Sequence, residues 1–530
     1  MTPKTSSTVL RARTLLTAAC CLIIAAYVML IDLKGINTDE GLRLAIINGG
    51  EPYTQNQLST HATWKQVLAT NSHWAYQPLY FLIQNSLMRV SGTHDVVFFR
   101  LVNVFFLWVS LQGLLVLSRG WQLFPRLFLL GLFGFNAYLF MHVLQIREYM
   151  AAVAFYIWSS WLVLRLDVRR LERPWMDAAW FSVYGGLLVL GFYVQSWVVF
   201  PAIGQGLFLI ARRRPAPWRF LGLLAFSYTL VLAATLPYLL THPQKIQVGR
   251  WGTTGSELWP QLSVGFHLVL AGHAPGQFRF TDFLFWFWLT FILGTFVLFF
   301  RGKSAALPCE NRGEVMRQGL LMLLCSGVSL AFQIGYFYGV ENLSLWPRYF
   351  IIHYFFLTWL IALGFNHLRI LRQAKGTSVW VRHGLSAATG IVAVTMLASA
   401  VFQVRSYYRD PFLDTGLSRS SNWQNLTAGA SRIMRPADAF VFHDFISRST
   451  FTFTRAPTNR VLLLEELPAS ALESVERLVY LESSESPAEK NQIAGRMATL
   501  GFKSCRVIPL QAADGQSPLN DWRAVAFSRP

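Results

Sequence analysis

The sequence predicts an all-α polytopic membrane domain of about 11 transmembrane helices, with interfacial helices in its first outer loop and a small C-terminal extracytoplasmic α/β domain. Three observations carry this reading. Of the 530 residues, 53% are hydrophobic and 14% charged, where an ordinary soluble domain carries about a quarter charged residues. The apolar residues gather into segments of the length that crosses a hydrocarbon core of ~30 Å. The net charge of +19 is unevenly spread: residues 405–530 hold 15 basic and 13 acidic side chains, so the excess lies among the apolar segments before them. In a soluble chain such a charge would point to a polyanion; this distribution belongs to membrane loops and excludes nucleic acid as the partner. The five cysteines, at 20, 21, 309, 325 and 505, form neither a disulfide framework nor a Cys-rich metal motif.

A basic N-terminus (Lys4, Arg11, Arg13) precedes an apolar run reaching Leu33. That run continues well past Cys20, so it reads as an uncleaved first span rather than a signal peptide. Further spans centre near residues 107, 135, 157, 185, 203, 230, 291, 328, 358 and 394. Pro78 to Val90 is too short to join them and is interrupted by Gln84, Asn85 and Arg89; it is expected to lie along the outer surface. With eleven spans and a cytoplasmic N-terminus, the short basic loops all fall inside, among them Arg165 to Arg173 and Arg212 to Arg219, as the positive-inside rule requires. Residues 34–96, 241–281 and the tail then lie outside. The inside loops lack a Gly-rich phosphate-binding signature, which argues against an ATP-driven pump.

The chain therefore divides into residues 1–404, the membrane domain, and 405–530. In the tail, β-prone runs at Ala439 to His443, Arg460 to Leu464, Leu478 to Glu482, Cys505 to Leu510 and Ala524 to Ser528 alternate with helical stretches at Ser420 to Met434 and Ala488 to Leu500. It contains no nucleophile triad or metal motif, and an accessory role is expected.

The candidates for chemistry sit outside. Asp39 and Glu40 lie just beyond the first span, where adjacent carboxylates can act as a general base, as metal ligands, or as solvated loop residues. Gln145-Ile146-Arg147-Glu148-Tyr149 occupy a very short outer turn, and Trp346-Pro347-Arg348-Tyr349 open a later span. An arginine placed there is solvated in a cavity, paired, or bound to an anion, and its planar fork suits a phosphate. The second long loop is glycine-rich, with Lys245 and Arg250 able to close over a donor phosphate.

These residues, in this order, resemble the GT-C glycosyltransferases: an acidic pair after the first span, Pro78-Leu79-Tyr80, Arg100-Leu101, Arg147 with Tyr149, and Arg348-Tyr349. Within that superfamily the resemblance leans toward the bacterial relatives of protein O-mannosyltransferases and of the aminoarabinose transferases of lipid A. It covers the membrane region. It implies that Asp39 is the catalytic aspartate with Glu40 its acidic neighbour, and that Arg147, Arg348 and Tyr349 hold the donor phosphate with Lys245 and Arg250. Tyr80, Arg100, Glu148 and Tyr149 would line the substrate site. The chain departs from the family at Tyr76-Gln77, where His-Pro is common, and at Gln145, where an acid is usual. A divalent metal ion would then rest on Glu40 and His73, with His61 in the same loop.

The implied activity is an inverting hexosyl or pentosyl transfer from a polyprenyl-phosphate-linked sugar to a glycan, lipid or protein acceptor, at the outer face of a bacterial inner membrane. The alternative is a transporter or flippase of a lipid-linked or anionic solute, with Asn103, Asn136, Gln333 and Glu341 along its pathway.

Overall fold

The computed structural model describes residues 3–31, 38–49, 62–74, 77–92, 95–213, 217–241, 258–301, 309–339, 347–373, 378–409, 430, 432–435, 438–442, 460–463, 475–482, 487–511 and 518–528. Two compact units divide the chain. One comprises Met1–Ile31, Ala75–Tyr80 and Arg100–Ser418, the other Asp32–Trp74, Phe81–Phe99 and Arg419–Pro530. In chain order the helices are α1 (Pro3–Leu30), α2 (Thr38–Ile47), α3 (Trp64–Trp74), α4 (Pro78–Ser91), α5 (Val96–Leu117), α6 (Leu123–Gly134), α7 (Ala137–Val143), α8 (Tyr149–Val168), α9 (Pro174–Val194) and α10 (Val199–Arg212). They continue as α11 (Trp218–Thr241), α12 (Leu258–Ala271), α13 (Arg279–Arg301), α14 (Cys309–Gly339), α15 (Ile351–Gln373), α16 (Val379–Arg409) and α17 (Pro487–Thr499).

Among the described residues, nine helices are long and apolar enough to cross a bilayer, and α6 with α7 passes the same test as a pair bent by 64°, the geometry of a broken span or a re-entrant loop. The chain is a multi-pass membrane protein. The span expected near residue 203 is the short helix Ser196–Arg212, whose rise of about 25 Å falls below the ~30 Å core. The second long loop contributes α12, a short apolar helix that glycine content alone had obscured. Helix α4 covers the expected interfacial segment. Its Gln84 and Asn85 are buried: Gln84 Nε2 donates to Phe99 O, and Asn85 Nδ2 donates to Ile47 O at 2.9 Å and to Ala62 O. The polar residues that disqualify α4 as a span thus tie the first outer loop together.

Helix α15 is the hub of the first unit. It packs on α6, α8, α12, α13, α14 and α16, and 89% of its most apolar window is buried.

The bend between α6 and α7 frees backbone groups that a bilayer interior cannot hydrate. Side chains from three other helices satisfy them. Tyr354 Oη donates to Phe133 O at 2.6 Å, and Tyr27 Oη donates to Gly134 O at 3.0 Å. The Ala137 N–H donates to Gln403 Oε1, and the Tyr138 N–H to Asn136 Oδ1, the N-cap of α7. Gln403 Nε2 reaches on to Ala271 O at 2.6 Å, the end of α12. Two glycines make this possible. A Cβ at Gly134 would lie 2.8 Å from Ile23, and one at Gly272, which has φ +80°, would lie 2.2 Å from Gln403 Oε1.

At the other end of the bundle three basic loops converge. Buried Asp177 pairs with Arg169 at 3.0 Å and Arg219 at 2.8 Å, and Asp167 lies 3.7 Å from Arg212 and 3.6 Å from Arg317. Arg213 caps the end of α8 by donating to Leu166 O, Asp167 O and Arg169 O. The loops that the charge pattern groups on one side do meet there.

In the second unit the sheet order is β2-β1-β3-β5-β4, with β1 (Asp438–Phe442), β2 (Arg460–Leu463), β3 (Arg477–Glu482), β4 (Lys503–Gln511) and β5 (Pro518–Ser528). Strand β1 runs parallel to β2 and β3, and β5 antiparallel to β3 and β4. Period-2 alternation sends Ala439, Val441, Leu478 and Tyr480 to one face, against Ile493 and Met497 of α17, and Phe440, Phe442, Val479 and Leu481 to the other. All five expected strands form. Of the expected Ser420 to Met434 helix, most lies outside the described residues.

Replacing Gln403 with Leu leaves the Ala137 N–H and the Ala271 carbonyl without their partner. It is expected to cost about 2–4 kcal/mol, read as a lower unfolding temperature in detergent by scanning fluorimetry. In the loop after α12, buried His273 bonds Ser406 Oγ at 3.0 Å, and burial pulls its pKa down from 6.5 to about 4. The unfolded chain therefore binds this proton first, so stability is full above the unfolded value and falls as pH drops toward 4. The wild-type unfolding temperature should drop further than that of His273→Asn between about pH 7.5 and about pH 5; equal drops would remove His273 as the cause.

Candidate functional site

Helix α7 leads into the turn 144–148, and the turn's shape is fixed from two sides. Asn103 Nδ2 of α5 donates to the Gln145 carbonyl, and Asn103 Oδ1 accepts from Tyr80 Oη at 3.1 Å. The Arg147 N–H closes the turn onto Gln145 O at 2.9 Å. Arg147 and Glu148 are buried, 2% and 4% exposed. Glu148 is the N-cap residue of α8, and its carboxylate lies where a helix dipole favours negative charge. The Arg147 guanidinium sits 6.0 Å from the centroid of the Tyr149 ring.

Arg348 and Tyr349 lie in the single 3-10 turn Pro347–Phe350 that starts α15. Tyr138 Oη of α7 donates to Arg348 O at 3.3 Å. Gln333 Nε2 of α14 donates to Tyr349 O at 3.2 Å, and His353 bridges Gln333 Oε1 and Ser326 Oγ, both at 2.9 Å. The Tyr349 ring stacks on Trp197 at 4.7 Å, and the Arg348 guanidinium lies 5.6 Å from that ring.

The two turns meet at Tyr149. Arg348 and Arg147 both act electrostatically on its buried phenol, Arg348 the more strongly, with Glu148 opposing them. His142 packs edge-on against Tyr138 at 4.5 Å and Tyr149 at 5.0 Å. The result is an enclosed cluster of two arginines, one glutamate and three tyrosines. Two guanidinium groups so placed form the kind of donor set that suits an anionic oxygen.

Of the sequence candidates, Arg147, Glu148, Tyr149, Arg348 and Tyr349 come together, and Tyr80 joins them through Asn103. Arg100 Nη1 donates to Ile31 O at 2.9 Å, at the end of α1. Glu40 is fully buried on α2, with Arg43 one turn further along the same helix and also buried. Asp39 and His73 lie on α2 and α3, and their side chains fall outside the described part of the structure, as do residues Lys245, Arg250, His61 and Glu341. Among the described residues no group of three His, Cys, Asp or Glu side chains assembles as a metal site, so Glu40 gains no described partner set for a cation.

Sequence reasoning missed His142 and Tyr138, which lie in an apolar stretch with nothing to set them apart from core residues. Under the transporter alternative, Asn103, Asn136 and Gln333 would line a pathway. All three are instead committed to backbone groups: Gln145 O, the α7 N-terminus with Val269 O, and Tyr349 O.

No protein-family model and no curated protein sequence matches the chain. Similarity does appear among solved structures. ArnT from Cupriavidus metallidurans bound to undecaprenyl phosphate aligns over 97% of both chains with 12% identity and a TM-score of 0.53. The apo state of the same protein aligns over 98% of both chains with 10% identity and a TM-score of 0.50. The archaeal oligosaccharyltransferase AglB from Archaeoglobus fulgidus, in complex with an inhibitory peptide and a dolichol-phosphate, aligns over 97% of this chain and 76% of its own, with 11% identity and a TM-score of 0.45. The chain has the GT-C glycosyltransferase fold.

Substituting Asn103 by Leu removes the donor to the Gln145 carbonyl and is expected to cost about 1–3 kcal/mol. Hydrogen–deuterium exchange should quicken at residues 146–149 while α15 keeps its protection. Unchanged exchange in the turn would show that Asn103 does not hold it.

Proposed function

We propose that this chain is a membrane glycosyltransferase that moves a sugar from a polyprenyl-phosphate carrier to an acceptor on the extracytoplasmic face. The observation that carries the reading is the convergence of Arg147 and Arg348, from turns far apart in sequence, on Tyr149. Its charge and enclosure suit a lipid phosphate, and the similar ArnT structure binds undecaprenyl phosphate.

In the reaction, a hydroxyl of the acceptor gives its proton to the Asp39 carboxylate and attacks the anomeric carbon. The new C–O bond forms as the bond from that carbon to the phosphate oxygen breaks, with inversion. The lipid phosphate leaves with the electron pair and gains one negative charge. Arg147 and Arg348, with Lys245 and Arg250 closing from the second outer loop, stabilise that charge more than the donor's, which is the condition for accelerating the step. Glu148 keeps Arg147 oriented, and Tyr80 sets the turn through Asn103. Glu40 supports Asp39 within the first turn of α2. Residues 1–404 carry this machinery with the N-terminus in the cytoplasm, and residues 405–530 have an accessory role.

Purified protein in mild detergent should carry polyprenyl phosphate or its glycoside, detected by mass spectrometry, and Arg147→Ala and Arg348→Ala should lose it. Asp39→Asn should retain the lipid while its transfer rate falls by at least about 100-fold. Lipid retained equally in both arginine variants would remove the phosphate site. Lipid bound normally and moved between leaflets, with no transfer by wild type, would favour a flippase.

A further inference from the structure

The basic end of α8 and α9 encloses a cavity of about 590 Å³ that the proposed reaction does not use. Trp161, Arg165, Arg170, Arg173, Met176 and Trp180 are among its lining residues. Arg169, also in the wall, is committed to Asp177. Arg165, Arg170 and Arg173 differ: among the described residues none of them makes an ion pair, and Glu172 is the one acid in the lining. The Arg165 guanidinium lies 5.8 Å from the Trp161 ring, and that of Arg169 5.5 Å from the Trp180 ring. The N-terminus of α9 opens into the same region, with Arg173 as its N-cap residue and no side chain capping its first amides. Three guanidinium groups with no ion pair among the described residues, beside a helix N-terminus, outnumber the lone Glu172 at this concavity and favour an anion with several acceptor oxygens.

The rim identifies the kind of anion. Val168, a lining residue, is 58% exposed, and Trp175, between the lining residues Arg173 and Met176 in sequence, is 71% exposed; they lie at the ends of two helices long and apolar enough to cross a membrane. Exposed tryptophan at the end of a span belongs at headgroup level, with its ring against acyl chains. A soluble phosphate would cover the arginines and leave these groups in water. A phospholipid covers both. Helix α8 carries Tyr149 at one end and Arg165 near the other, about 24 Å apart by helical rise, so the cavity faces the opposite leaflet from the Arg147 turn.

We infer that this cavity binds the phosphate headgroup of an anionic phospholipid of the leaflet opposite the Arg147–Arg348 cluster. Its phosphate is held by Arg165, Arg170 and Arg173, and its acyl chains lie along Trp175 and Val168. The bound lipid screens the basic end of the bundle beside the Asp177 ion pairs, and it owes nothing to the outer-face chemistry.

The test uses the full chain, stripped of lipid in detergent and titrated with phosphatidylglycerol or phosphatidylcholine while bound lipids are counted by native mass spectrometry. Wild type should bind one phosphatidylglycerol in strong preference to phosphatidylcholine. Arg165→Gln, Arg170→Gln and Arg173→Gln together should weaken it about 100-fold, Arg170→Gln alone about fivefold, and the control triple Arg119→Gln, Arg372→Gln, Arg382→Gln less than about threefold. The single variant, at an exposed residue with no ring contact, keeps the test valid should the triple variant misfold. Equal loss in the two triple variants would mean diffuse attraction rather than a site. Displacement by inorganic phosphate as effective as by phosphatidylglycerol would mean a soluble anion. Either result overturns the proposal.

Discussion

A backbone that breaks inside a bilayer must find every hydrogen-bond partner within the protein, and the break between α6 and α7 is where this fold meets that demand. Two carbonyls and two amides come free there. Each is met by a side chain placed by sequence far from the bend: Tyr27, Tyr354 and Gln403, with Asn136 local. An uncompensated group at that depth costs several kcal/mol, so the four bonds are a condition for the bend rather than an ornament to it. They also bind α1, α15 and α16 to one point.

The bend sets the direction of α7, and α7 sets the site. Tyr138, one residue into that helix, reaches the Arg348 carbonyl, and His142, one turn on, packs against Tyr149. Had α6 run straight, Tyr138 would point elsewhere and the two arginine turns would have no common support. From the opposite side, the Ser326–His353–Gln333 chain holds Tyr349 by its carbonyl. Arg348 is therefore held through its own carbonyl and that of the next residue. That is the preorganisation expected where charge must be stabilised without rearrangement.

Much of this was legible from residue order. Long apolar runs identify the spans because hydrocarbon thickness sets a length. The tail's five strands follow from β-prone alternation, and the arginines at short outer turns announce themselves because arginine is costly there. The bend was not legible: residues 123–143 read as one apolar run, and Asn136 looked like a polar residue on a pathway. What distinguishes a cap from a pathway is the partner, and Gln403 and Tyr354 lie hundreds of residues away. Arg100 has a partner that residue order does not show. It matches a family motif, and its guanidinium donates at the end of α1. The segment near residue 203 forms a shorter helix than its apolar run suggests, because Gln195 ends α9 and a 3-10 turn precedes α10.

The two ends of α8 show how one residue type serves opposite purposes. At the basic end the buried acids are each bracketed by arginines: Asp177 by Arg169 and Arg219, Asp167 by Arg212 and Arg317. Arginine there neutralises acids that would otherwise be untenable at low dielectric, and it locks loops together. At the Tyr149 end the balance reverses, with two arginines and a single glutamate acting on one enclosed phenol. An enclosed excess of positive charge is stabilised by an anion brought from outside, because the field that makes it costly when empty makes it selective when filled. That asymmetry, more than any one residue, is why the Arg147–Arg348 cluster reads as a site and the Asp177 network as scaffold.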